Sequence, residues 1–120
     1  MAILSSHTLD SVSGFSASGV RVEFFRLLGK NGKEKVFEVR TNEEGRISEN
    51  FDSEGHQESD YELVFHSGEY LSERKNREDN PLMDTVVIRI RVTDNDRRYH
   101  IPVLISPHSY TVWWSGNPDP

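Results

Sequence analysis

Three residues far apart in the chain have side chains suited to moving a proton and holding a developing negative charge. They are His7 in "LSSHTLDSVSG", Arg46 after the glycine of "TNEEGR", and His100 in "YHIPVLISPHSY". Imidazole titrates near ambient pH, so a histidine can take the proton of a water molecule as that water becomes a nucleophile. Two histidines allow one to accept while the other orients or donates, and the base role falls to the His7/His100 pair without a choice between them. Arginine keeps its charge and presents a planar fork of donors to a carbonyl-type oxygen, whose negative charge grows on attack. Together the three could direct an activated water at a carbonyl carbon. A covalent acyl intermediate is not indicated, since the chain has no cysteine and no Gly-x-Ser-x-Gly elbow. Two adjacent tryptophans, Trp113 and Trp114, precede Ser115 near the end. On a strand they face opposite sides, one toward core and the other toward an interface or lid, and nearby serine hydroxyls could position the water.

Each of these residues has an ordinary alternative. A strand histidine is commonly satisfied by a backbone group or by solvent, and Arg46 could pair with Glu43 or Glu44. Asp10 could orient a histidine or cap a turn. His56 lies in a polar loop and reads as solvated, while His66 and His108 read as surface or packing residues. No pair of histidines has the close spacing of a zinc-binding helix, so no metal site is assigned.

The elements that must position these residues are mostly strands. The opening segment carrying His7 is one. "VRVEFFRLL" (20–28) alternates and is rich in β-formers; Asn31-Gly32 marks the tip of a turn, and "EKVFEVRT" (34–41) answers as the partner strand. A second turn (42–46) leads to a short strand (47–51), and residues 61–67 alternate again. "GEYLSERKNRED" (68–79) combines good helix formers ahead of Pro81 and is expected to be the one helix. A long alternating strand (84–94) follows, and 99–114 reads as a final hairpin turning at Ser106-Pro107. Within it His100 falls on the face opposite Tyr99, Ile101 and Val103. Short strands with turns about every 8 to 12 residues predict an all-β, antiparallel β-sandwich with one short helix.

The 120 residues suit one domain with a single core. Hydrophobic residues make up 34% and aromatics 10% of the chain, so burial is expected to concentrate in short aromatic-rich strands. A net charge of −6 argues against nucleic acid or an anionic membrane as partner, because phosphate binding needs a basic patch. Stretches such as "SERKNRED" read as solvated mixed surface. No apolar run is long enough to span a bilayer, and "MAILSSH" has neither a basic n-region nor a long apolar h-region. Cytoplasm is the default expectation. A small-molecule substrate is the expected partner.

At this point three separated motifs combine. "LSSHTLDSVSGFSASGVRVEFFRL", "TNEEGR" and "RYHIPVLISPHSY" resemble, in order and interval, the signatures of the transthyretin-like family, whose enzymatic members are 5-hydroxyisourate hydrolases. The resemblance implies two stacked sheets of about eight strands with a short helix after the fifth. It also implies a homotetramer, a dimer of dimers, with active sites in a channel between the dimers. Residues matching His7, Arg46 and His100 form the hydrolase site, which uses no metal or organic cofactor. The hormone-carrier branch has Lys, Glu and Thr in their places, so this sequence sides with the enzymes.

The tail departs from the pattern. Family hydrolases end in Tyr-Arg-Gly-Ser; here Trp113, Trp114, Ser115 and Gly116 stand in those places, and four further residues follow. Residues 1–116 are therefore read as the domain and 117–120 as an extension. Trp113, Trp114 and Ser115 are expected to line the substrate channel. Two further readings stand beside the 5-hydroxyisourate hydrolase: a relative recruited to a different heterocycle by the changed tail, and a small-ligand carrier.

Overall fold

Alternating burial along the first strand sets the frame for everything that follows. In β1 (Ala2–Asp10), Ala2, Leu4, Ser6, Thr8 and Asp10 are buried, while Ile3, His7 and Leu9 on the other face stay partly open. The computed structural model describes residues 1–53, 59–74 and 82–115. Among them β1 lies between β4 (Arg46–Phe51) on one edge and, in succession along the other, β7 (Arg98–His100) and β8 (Val103–Ile105), with β9 (Tyr110–Val112) outermost beyond β8. The second sheet has the order β3 (Lys33–Arg40), β2 (Arg21–Leu27), β5 (Ser59–Phe65), β6 (Val86–Val92). The expected β-sandwich is present.

Between the sheets, Phe24, Phe51, Tyr61 and Phe65 are buried in the core. Phe24 stacks on Tyr61 with centroids 5.0 Å apart and meets Phe51 edge-on at 5.1 Å. Leu4, Val22, Leu63, Phe65, Val86 and Val103 fill the remainder, all close to fully buried.

The second sheet is antiparallel throughout, as is β1 against β4. By contrast β7 and β8 run parallel to β1. The chain reaches β1 from β6, in the opposite sheet, so no tight hairpin forces an antiparallel approach. β7 and β8 hold one register against β1, with Ser5 opposite His100 and Thr8 opposite Val103. The single strand expected across 99–105 is interrupted at Ile101-Pro102, because proline has no N–H to give to the ladder. Its register partner on β1 is His7.

Two further boundaries differ from the sequence expectation. The hairpin at Asn31-Gly32 is a five-residue loop, Leu28 to Gly32, rather than a two-residue turn. Gly29 and Gly32 both have positive φ (62° and 84°), and a short 3₁₀ turn spans Gly29–Asn31. The helix, α1 (Ser67–Ser72), is shorter than expected. Tyr70 and Leu71 bury against the core, but no apolar residue follows within the next turn, so nothing rewards continuing the coil. The expected stretch from Lys75 lies outside the described residues, as do His56 and the extension 117–120.

Candidate active site

The turn before Arg46 is fixed by its own side chains. Asn42 Oδ1 accepts from the backbone N–H of Glu44 and of Arg46, both at 2.9 Å. Thr41 is buried and ties the turn to the β1–β2 loop, donating to Ala17 O at 2.7 Å and accepting from Val20 N–H at 2.9 Å. Gly45 has φ +76°, and a Cβ there would sit 2.4 Å from Thr8 O. Its own carbonyl accepts from Thr8 N–H at 2.7 Å. Only glycine fits, and Arg46 is thereby delivered directly opposite His7 on β1.

One register step along, Ser48, Ser5 and His100 form a row across β4, β1 and β7. His7 and Ser5 share a strand face, as do Arg98 and His100. The solvent face of this sheet therefore gathers His7, Arg46 and His100 from three strands. A cleft of about 410 Å³ opens there, lined by Ser5, Ser6, Asn42, Arg46, Ser48, Arg98 and His100, with Ile47 at its side. His7 is not among its lining residues; its Nε2 points to Ser16 Oγ at 3.4 Å.

His100 is the group whose chemistry the surroundings alter most. Ser5 Oγ lies 2.8 Å from its Nδ1. Burial first, then the charges of Arg46 and Arg98 and the neighbouring His7, hold the imidazole below its usual range. At neutral pH it is therefore uncharged, with Nε2 free of protein partners among the described residues. A neutral histidine beside arginines can accept a proton from water while the arginines face an oxyanion.

Asp10 caps a turn and does not orient a histidine. Its Oδ1 accepts from Val12 N–H at 2.8 Å and Ser13 N–H at 3.2 Å, and its Oδ2 from Tyr70 O–H at 2.9 Å. Burial and this bond push the Tyr70 phenol up to about 12, so it stays protonated. The groove beside it, about 320 Å³ and edged by Phe15, has no free acid or base on its walls. Arg46 has no carboxylate partner among the described residues. His66 lies between the end of β5 and α1, 2.7 Å from Glu23, and no group of three His, Asp or Glu side chains able to hold a metal occurs among the described residues.

The tail divides its residues between two places. Ser115 lies beside His100, its N–H donating to His100 O at 2.9 Å. Trp114 lies away from the cleft: its ring covers the Arg97 guanidinium at 4.8 Å, in a groove with Ile90, Thr93, Tyr99 and Ile101. Alternation from Val112, which packs on the core, puts Trp113 on the outer face with His100. Ser5, Ser16 and Arg98 escaped the sequence reading. The i, i+2 spacing of Ser5 to His7 and of Arg98 to His100 was the available signal for two of them.

Comparison with known proteins gives a consistent picture. Residues 4–114 match the HIUase/Transthyretin family. The 5-hydroxyisourate hydrolase of Pseudomonas aeruginosa is 34% identical over 115 residues, covering 94% of this chain and 90% of that protein. Among solved structures, Klebsiella pneumoniae 5-hydroxyisourate hydrolase superposes with a TM-score of 0.76 at 25% identity, covering 97% of this chain and all (100%) of that one. An (S)-allantoin synthase gives a TM-score of 0.82 at 28% identity; the match takes in 96% of this chain but 44% of that one.

Proposed function

Because the chain belongs to the HIUase/transthyretin family, we propose that it is a cofactor-free hydrolase that opens a cyclic amide, 5-hydroxyisourate, in urate breakdown. The observation that carries this reading is His100: neutral, bound through Nδ1 to Ser5, and set between Arg46 and Arg98 in an open cleft. In the proposed reaction a water oxygen attacks a ring carbonyl carbon. The His7/His100 pair takes the water's proton, with His100 Nε2 the nitrogen facing the cleft when Ser5 accepts from Nδ1–H. Arg46 stabilises the oxyanion. As the ring C–N bond breaks, the same proton returns to the leaving nitrogen, so the protein ends as it began and no cofactor takes part.

The proposal includes a homotetramer, a dimer of dimers, acting in the cytoplasm. Both sheets end on the same side of the sandwich in unpaired edge strands, β6 and β9, near exposed Val87, Tyr110 and Trp113. Open edges carrying apolar residues favour pairing with another copy. The tail also supports the hydroxyisourate reading over recruitment to a different heterocycle. Trp114 occupies itself with Arg97, and the cleft keeps its cations and its serines.

The test is direct. Purified protein is added to 5-hydroxyisourate generated in place by urate oxidase, and loss of its absorbance is followed against spontaneous decay. Acceleration by several orders of magnitude is expected. Decay at the uncatalysed rate would remove the hydrolase reading.

A further inference from the structure

Most arginines among the described residues of this acidic chain are committed to a partner. Arg21, Arg26, Arg40, Arg89 and Arg91 each reach a carboxylate. Arg74 donates to Ser18 O and covers the Tyr70 ring, and Arg97 lies under Trp114. Arg46 and Arg98 differ: neither guanidinium has a hydrogen-bond or ion-pair partner among the described residues. Both line the same cleft, whose walls carry no Asp or Glu. In a protein of net charge −6, two uncompensated guanidiniums facing one concavity are a local reversal of sign.

Register explains how they come to share the cleft. Arg98 is opposite Ile3 on one side of β1, and Arg46 is opposite His7 on the other. The two arginines therefore occupy diagonal corners, with the row Ser48, Ser5 and His100 between them. A planar ring lying over that row would meet a guanidinium at each end. Arginine's fork pairs two N–H donors with two coplanar oxygens, so each end recognises an anionic or strongly polarised oxygen edge.

We infer that Arg98 is a specificity-determining residue of the site, forming with Arg46 a two-ended clamp that selects planar heterocycles carrying a negative charge. The inference rests on the hydrolase reading for the identity of the substrate, and on the cleft alone for binding. Arg46 faces the oxygen on which charge grows during attack. Arg98 holds the charge already present in the bound molecule, far enough along the sheet to orient the ring. An interaction made equally before and during reaction raises affinity and leaves turnover largely unchanged, so Arg98 acts on KM.

Two pyrimidinediones that differ by one carboxylate, orotate and uracil, test this without needing turnover. Dissociation constants are read from the His100 ring-proton signals, assigned by their loss in His100→Asn. The intact protein is expected to bind orotate at least about tenfold more tightly than uracil. Arg98→Gln should weaken orotate about tenfold and leave uracil unchanged, while Arg89→Gln, an exposed arginine of the other sheet, should change neither. With 5-hydroxyisourate, Arg98→Gln should raise KM about tenfold and keep kcat within about twofold. Orotate bound equally well by Arg98→Gln and the intact protein, or no preference of the intact protein for orotate over uracil, would overturn the clamp. Orotate binding that depends on Arg98 without any turnover of 5-hydroxyisourate would keep the clamp and remove the hydrolase reading.

Discussion

His100 carries a depressed imidazole because burial and two neighbouring arginines disfavour its charged form. In the proposed reaction the neutral form is the active one. Activity should therefore hold through neutral pH and fall on acidification, with an apparent pKa below the ordinary histidine value of about 6.5. Replacing His100 by Asn should lower turnover about 10²- to 10⁴-fold, and Arg46→Lys about 10²-fold, since the ammonium keeps the charge but loses the bidentate fork. Both side chains lie on the open face of the sheet, outside the hydrophobic core, so thermal unfolding of the variants should stay close to the parent's. Turnover unaffected in both variants would remove the catalytic assignment. An activity profile with an acid limb above the ordinary histidine range would contradict the neutral-imidazole reading.

At the scale of elements, the β3–β4 turn decides whether Arg46 meets His7 at all. Gly45 combines a positive φ with a backbone carbonyl in the space a Cβ would need. Gly45→Ala should cost about 1–3 kcal/mol of stability from conformational strain, with more where Thr8 must move. Urea unfolding measures the loss, and turnover should fall with it because the turn is the anchor of Arg46. A variant as stable and as active as the parent would show that the turn relaxes freely. The Pro102 interruption works at the same scale. It breaks the ladder beside His7 without shifting register, so Ser5 still meets His100.

The whole molecule is a thin slab, with extents of 46 × 33 × 19 Å, and it leaves β6 and β9 as open edges on one side. Val87 is 48% exposed, Tyr110 44%, and Trp113 44%, a poor fit to a lone particle in water. Assembly into a tetramer would cover such edges and deepen the cleft's surroundings. Light scattering at micromolar protein is expected to give four times the chain mass of 13.8 kDa. A monomer at that concentration would contradict the assembly proposal.

Alternation along β1 and β7 is written in the residue order, so the sequence alone put His7 and His100 on strand faces and forecast a β-sandwich. Glycine and asparagine chemistry likewise made the turn before Arg46 legible, because the constraints are local. Helix length was not legible: "SERKNRED" has the propensity, and only the core decides whether a turn of helix has something to pack on. Nor could periodicity assign Asp10, whose alternatives, a cap or a histidine partner, were separated by where Tyr70 came to lie. The parallel register of β7 and β8 on β1, the approach of Ser5 to His100, and the turning of Trp114 toward Arg97 join residues remote in sequence. Such pairings are set by how two sheets close on a shared core, and the tertiary structure alone decided them.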